Sequence, residues 1–240
     1  MKEGIIGVLG GMGPEATLDC YAKIIQNTPA SKDQDHLQVI INSDPKVPDR
    51  TEAILGRGES PLPALAAGAQ ALERAGADFV IIPCVSAHMF LDELITQVSL
   101  PILSIFDAVA NTIVREHPEI KTVGLLGTTG TVKGGLFQKR LESEGLQILV
   151  PDDASQPRVM DAIYTIKDVQ ATRTRKETTA ALTSVAQGLM DRGAQGIIAG
   201  CTEIPLALRQ AHLSVPYFDS LTVLGREAIR RAGLEPLPLP

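Results

Sequence analysis

Residues 76–84 read GADFVIIPC, and residues 193–201 read GAQGIIAGC. Both stretches carry a short apolar run that ends at a cysteine, and an offset of 117 residues lays Cys84 on Cys201. The same offset lays GVLGGMG at 7–13 on GLLGTTG at 124–130, where three glycines coincide. Self-similarity at a fixed offset predicts one structural unit that occurs twice in the chain.

Each half alternates short apolar runs with amphipathic stretches, the pattern of parallel β-α-β units. We therefore predict an α/β fold of two lobes around a shared cleft, each a short parallel sheet flanked by helices. The first lobe is expected over 1–105, completed by a C-terminal helix at 220–240, and the second over 106–219. Strands are predicted at 4–9, 37–42, 78–83, 101–104, 121–127, 146–150, 195–199 and 215–218, and helices at 14–27, 62–75, 87–97, 106–116, 132–144, 157–168, 170–191 and 220–232.

Composition and charge restrict the class of protein. The chain has 240 residues, 44% hydrophobic content and a net charge of -6, with acidic and basic residues interspersed. It therefore offers no basic face for nucleic acid and no polybasic patch for a membrane. The glycine-broken N-terminus and the three widely spaced cysteines favour a cytoplasmic protein without disulfides. The four histidines are scattered, so no metal site is expected.

The two matched cysteines are the strongest candidates for catalysis. Ligands of open parallel sheets bind beyond the carboxyl ends of the strands, where Cys84 and Cys201 are predicted to lie. Each is followed by hydroxyl residues and a new helix, so we expect a lowered thiol pKa. Two such thiols suit a reaction that needs one acid and one base on opposite faces of a carbon. The alternative is a core cysteine copied by duplication; Cys20, which has no matched thiol, is expected to be structural.

Further motifs are spread over nearly the whole chain. They are GGMGPEAT at 10–17, INSDPKVPDRT at 41–51, IPCVSAH at 82–88, LLGTTGT at 125–131, IYTIK at 163–167 and GCTEIPL at 200–206. In these motifs the chain resembles the aspartate/glutamate racemase family, and most closely its aspartate racemase branch. The resemblance implies two pseudo-twofold-related Rossmann-like lobes and a homodimer. It also implies a racemase that needs no pyridoxal phosphate (PLP) or other cofactor, with aspartate or glutamate as the small-molecule substrate and Cys84 and Cys201 as the acid/base pair.

The same resemblance assigns roles to other residues. Arg50 would bind a substrate carboxylate through its guanidinium fork, against the alternative of an ordinary loop arginine. Lys167 would supply a second cation, against the alternative of a lysine placed at a helix C-terminus by the helix dipole. The remaining substrate-binding residues would be Met12, Gly13, Val85, Ser86, Thr128, Thr131 and Thr202, and His88 and Glu203 would support the thiols.

One departure from the family pattern concerns substrate specificity. Members commonly have Cys-Asn-Thr where this chain has Cys84-Val85-Ser86, so valine removes an amide expected to hydrogen-bond the substrate. A relative with altered specificity, an isomerase or decarboxylase of a small carboxylic acid, or an inactive ligand-binding protein is therefore an alternative.

A nucleotide-binding oxidoreductase is the other rival. Residues 11–16 satisfy the dinucleotide fingerprint G-x-G-x-x-G/A after a predicted strand. Against this assignment, the matching turn of the second half lacks the fingerprint. Both turns are explained more simply as cradles for a small anion.

Overall fold

A computed structural model describes residues 3–168 and 175–239 of the chain. The described strands are β1 (Ile6–Gly10), β2 (Val39–Ser43), β3 (Phe79–Ile81), β4 (Thr122–Gly127), β5 (Gln147–Leu149), β6 (Ile197–Gly200) and β7 (Tyr217–Asp219). They form two sheets in which every pairing is parallel, with strand orders β2-β1-β3 and β5-β4-β6-β7. Helices connect successive strands, as parallel pairing requires.

The α-helices are α1 (Pro14–Asn27), α2 (Arg50–Ile54), α3 (Leu62–Arg74), α4 (Leu91–Leu94), α5 (Ile105–Glu116), α6 (Thr129–Gly134), α7 (Leu136–Glu142), α8 (Gln156–Lys167), α9 (Arg175–Asp191) and α10 (Ser220–Arg231). Short 3-10 helices occupy Asp33–Asp35, Val85–Phe90, Ile204–Leu206 and Gln210–His212. Helix α1 begins at Pro14, where the missing proline N–H has no intrahelical partner to lose.

The chain divides into two compact units. One comprises Met1–Ala108 together with Leu221–Pro240, and the other comprises Val109–Ser220. The C-terminal segment is tied to the first unit by hydrogen bonds. Gly4 N–H donates to the Ala232 carbonyl at 3.0 Å, and Arg226 Nη1 donates to Asn27 Oδ1 at 2.8 Å.

The predicted α/β class with two small helix-flanked parallel sheets is confirmed. In both sheets the first strand of the repeat, β1 or β4, lies between the second and the third. All residues of β1, β3 and β6 are buried, in keeping with the continuous apolar runs expected of parallel strands covered on both faces. The strand order thus reproduces the duplication visible in the sequence.

Three predicted elements differ from the structure. The strand expected at 101–104 is a single bridge between Val80 and Ile102, because Pro101 lacks an N–H for a longer ladder. The helix expected at 87–97 is the 3-10 helix Val85–Phe90 followed by the short α4. The helix expected at 132–144 is divided into α6 and α7 at Gly135, whose φ is 69°.

Two further differences concern helices. Helix α2 was not predicted, although Asp49 caps it by accepting the Glu52 N–H. The predicted helix at 170–191 begins in the part of the chain outside the described residues and is observed from Arg175. Over residues 3–168 and 175–239, no helix has the length and hydropathy needed to cross a bilayer.

Candidate active site

The turn after β1 is shaped by two glycines and one threonine. Thr17 Oγ1 accepts the Gly11 N–H at 2.8 Å and donates to the Gly13 carbonyl at 2.9 Å. Gly11 has a φ of 94°, and a Cβ there would lie 2.3 Å from the Asp44 carbonyl. The space beside Gly11 is therefore occupied by the backbone of Asp44. This contact requires a glycine whether or not a dinucleotide binds, which weakens the assignment of the fingerprint to an oxidoreductase.

Arg50 opens helix α2 and turns its guanidinium toward backbone carbonyls. Its Nη1 donates to the carbonyls of Val47 and Pro48 at 3.0 and 2.8 Å, and Nη2 donates to the Met12 carbonyl at 3.3 Å. The structure thus brings Arg50 and Met12 together. Among the residues that the structure describes, none accepts a hydrogen bond from the buried Nε–H, so the Nε–Nη2 edge keeps donor capacity for a carboxylate.

Cys84 follows β3 and begins the 3-10 helix Val85–Phe90. The thiol is buried, and the neighbouring Val85 and Ser86 are buried as well. His88 Nδ1 lies 3.0 Å from the Cys84 carbonyl oxygen, and Nε2 lies 3.3 Å from the Leu103 carbonyl oxygen. Both ring nitrogens of His88 therefore face backbone carbonyls, one of which belongs to the cysteine. Burial lowers the pKa of His88, which keeps the ring neutral.

Cys201 follows the last residue of β6, and its thiol is part of a buried polar cluster. Its S–H donates to Glu203 Oε2 at 2.9 Å, and Thr202 Oγ1 donates to the same oxygen at 3.4 Å. Lys167, the last residue of α8, places Nζ 2.7 Å from Glu203 Oε1. The structure therefore brings together four of the residues predicted for the site.

The environment of Cys201 corrects one expectation. The sequence predicted a lowered pKa at both thiols, but burial raises the pKa of Cys201 well above its ordinary value, and the Glu203 carboxylate adds to this effect. Lys167 opposes the shift only in part. The helix that follows is a 3-10 turn of three residues, Ile204–Leu206, too short for a helix dipole to offset burial.

Thr128 and Thr131 form a helix cap. Thr128 Oγ1 accepts the Thr131 N–H at 3.0 Å and lies 3.0 Å from Thr131 Oγ1. Strand register pairs Gly127 with Gly200, so Thr128 and Cys201 leave the carboxyl ends of neighbouring strands. Within the second unit, the predicted residues therefore share one edge of the sheet, where parallel sheets bind ligands.

Some residues near these positions were missed by the sequence analysis. Thr17 bridges the first turn, and Gln156 Nε2 donates to the Gly127 carbonyl at 3.0 Å. Thr17 lies six residues after Gly11, a spacing that no turn rule singles out. The repeat offset carried an unused signal, because it also lays Arg50 on Lys167 and Ser86 on Glu203.

Comparison with curated proteins finds relatives over most of the chain. The chain is 30% identical over 229 residues to the broad specificity amino-acid racemase RacX of Bacillus subtilis (strain 168), covering 94% of this chain and 96% of that relative.

Solved structures give the same result. The Picrophilus torridus aspartate racemase superposes with a TM-score of 0.86 at 31% identity, covering 98% of this chain and 96% of that one. An aspartate racemase homologue from Pyrococcus horikoshii OT3 superposes with a TM-score of 0.75 at 31% identity, covering 97% and 99%. The family model described as Asp/Glu/Hydantoin racemase matches residues 9–228. The chain therefore belongs to the Asp/Glu/hydantoin racemase family.

Proposed function

We propose that the protein is a PLP-independent amino-acid racemase in which Cys84 and Cys201 exchange a proton with the α-carbon of the substrate. The observation that carries the proposal is that each unit has a buried cysteine shortly after a fully buried strand, Cys84 after β3 and Cys201 after β6. A structural cysteine needs no partner, whereas the Cys201 S–H donates to a carboxylate. Family membership supports the reaction class.

The reaction is a balanced proton exchange. One cysteine, as thiolate, removes the α-hydrogen and becomes a thiol, while the other gives its thiol proton to the opposite face of the same carbon and becomes a thiolate. The α-carbon is a weak acid, so negative charge that develops on the carbanion and its carboxylate must be stabilised by fixed donors. Arg50 supplies positive charge in the first unit, through an Nε–H that has no partner among the described residues, and Lys167 supplies it in the second.

Aspartate or glutamate is the substrate that we propose first. The support is the resemblance to aspartate racemases and the presence of one proposed cationic substrate contact in each unit, Arg50 and Lys167. The similarity to a relative named a broad specificity racemase and the buried Val85 favour the second candidate, a racemase of amino acids with neutral side chains. We also propose, from the family resemblance alone, a homodimer in the cytoplasm.

Deuterium incorporation tests the reaction class and the substrate together. A panel of single amino acids is incubated with enzyme in heavy water and scored for α-deuterium and for the opposite enantiomer. We expect both signals for at least one amino acid, undiminished by hydroxylamine, which inactivates PLP. The variant Cys84→Ser/Cys201→Ser should show neither signal. The proposal fails if no amino acid exchanges, or if exchange survives in that double variant.

A further inference from the structure

The Cys201 thiol lies at the inner end of a chain of three groups that reaches the surface. Its sulfur is 2.9 Å from Glu203 Oε2, and Glu203 Oε1 is 2.7 Å from Lys167 Nζ. The Glu203 side chain is 4% exposed, whereas that of Lys167 is 30% exposed. A buried carboxylate therefore links the thiol to a side chain in contact with solvent.

A two-thiol racemase needs such a link because each turnover leaves its two cysteines in the protonation states opposite to those that the next molecule of the same enantiomer requires. The cysteine that gave its proton ends as a thiolate, and the cysteine that took the α-hydrogen ends as a thiol. Before a second molecule of the same enantiomer can react, one cysteine must gain a proton and the other must lose one. A buried sulfur exchanges protons with water slowly unless a titratable group touches it.

We propose that Glu203 is a catalytic residue that resets the protonation of Cys201 between turnovers. The inference rests on the proposed two-thiol reaction. When Cys201 is left as a thiolate, the Glu203 carboxylic acid gives it a proton, which yields a carboxylate and a thiol. When Cys201 is left as a thiol in the opposite direction, the carboxylate takes that proton. The carboxyl group then exchanges its proton with water beside Lys167.

The first unit lacks this device at the matched position. The repeat offset of 117 lays Glu203 on Ser86, which has no carboxylate. His88, the titratable side chain of that 3-10 helix, directs its two ring nitrogens to the carbonyls of Cys84 and Leu103. Glu203 therefore has no carboxylate counterpart at the matched position of the first unit, and it serves one cysteine of the pair.

The test compares racemisation at low and high substrate concentration in Glu203→Gln. At low concentration, the proton exchange on bound substrate limits the rate. At high concentration, the return of the free enzyme to its starting protonation state becomes limiting. We expect the concentration at which this second regime begins to fall on the order of tenfold in Glu203→Gln, because an amide cannot accept the thiol proton. A small carboxylic acid buffer should then restore the high-concentration rate.

Each outcome bears on one proposal. Equal losses at low and high concentration, or no rescue by buffer, would show that Glu203 only positions Cys201. Glu142→Gln, at an exposed position on α7, is the matched control and should change neither regime. A parent enzyme without any α-hydrogen exchange would instead overturn the racemase proposal itself.

If Glu203→Gln fails to fold, Glu203→Asp provides a second test of the inference. Glu203→Asp keeps the charge beside Lys167, but its shorter side chain withdraws the carboxylate from the sulfur. We expect the same shift in the onset of the high-concentration regime, smaller than in Glu203→Gln and again reduced by carboxylic acid buffer. An unchanged onset in Glu203→Asp would contradict the reset role.

Discussion

At the scale of single residues, the Cys201 thiol shows how little a strand-end position says about reactivity. The repeat predicted a cysteine at this edge of the sheet, and the structure places it there. The direction of its pKa shift could not be predicted, because that depends on burial and on which way Glu203 points. A carboxylate two residues later in the chain could equally have faced solvent. Here it accepts a hydrogen bond from the thiol at 2.9 Å.

The pH dependence of Cys201 alkylation should respond to the two charged side chains near the thiol, Glu203 and Lys167. Because the Glu203 carboxylate raises the pKa of Cys201 and Lys167 lowers it, the two substitutions are expected to act in opposite directions. Glu203→Gln should move the pH profile of iodoacetamide alkylation to lower pH, and Lys167→Met should move it to higher pH. Mass spectrometry of the Cys201 peptide measures both. Shifts in the same direction would contradict this electrostatic account.

Val85 should influence which substrate side chains the enzyme prefers. It is 2% exposed and follows Cys84 directly, at the position where the sequence analysis expected an amide to hydrogen-bond the substrate. Val85→Asn should raise kcat/KM for aspartate relative to alanine, by a factor of about 10 if the amide forms one hydrogen bond to the substrate. Val85→Leu, which keeps the site apolar, is the control. A ratio that is unchanged or lower in Val85→Asn would mean that other residues select the side chain.

At the scale of elements, the glycine-rich turns were predicted from their spacing, but the reason for each glycine was not. Spacing alone allowed a nucleotide cradle, whereas the structure shows that Gly11 admits the backbone of Asp44. Contacts of this kind join residues far apart in sequence, so a local pattern cannot reveal them. The strand predicted at 101–104 failed for a local reason instead, because Pro101 has no N–H to extend the pairing beyond a single bridge.

Substitution of two glycines with the same φ distinguishes the cost of steric overlap from the cost of backbone strain. Gly11 and Gly76 both have a φ of 94°, but a Cβ at Gly76 would have no atom within 4 Å. Gly76→Ala should cost about 1–2 kcal/mol of unfolding free energy through strain alone. Gly11→Ala should cost at least about 2 kcal/mol more, because its Cβ would overlap the Asp44 backbone. Chemical denaturation measures both. Equal losses would refute the close approach.

The 3-10 helix after Cys84 should make the protein sensitive to acid. Burial lowers the pKa of His88 in the folded state, so below about pH 6.5 the unfolded chain binds a proton that the folded chain does not. Stability should therefore fall as pH decreases from 7 to 5, by up to about 1.4 kcal/mol per pH unit from this group. His88→Gln should flatten that dependence, whereas His36→Gln, at an exposed position, should not. Parallel slopes for His88→Gln and the parent would contradict the assignment.

At the scale of the whole molecule, the duplication is the feature that the sequence predicted best. Strand order repeats in both sheets because each half carries its own apolar runs, turn glycines and cysteine. The chain is nevertheless not a simple tandem of two halves. Residues 221–240 belong to the first unit, through backbone and arginine hydrogen bonds whose partners lie near the N-terminus. This long-range closure has no periodic signature, although the sequence analysis expected a C-terminal helix at 220–240 to complete the first lobe.

Single-cysteine variants test whether both units serve one reaction. If the two thiols act on opposite faces of one α-carbon, each thiolate can remove the hydrogen of only one enantiomer. Cys84→Ser and Cys201→Ser should then both lose racemisation, because the partner acid or base for inversion is missing. In heavy water, the remaining thiolate can still take the hydrogen that it faces and return a deuteron to the same side. The two variants should therefore exchange opposite enantiomers with retained configuration, which chiral chromatography with mass detection measures. Exchange of the same enantiomer by both variants, or racemisation near the parental rate in either, would favour a single mobile base over the cysteine pair.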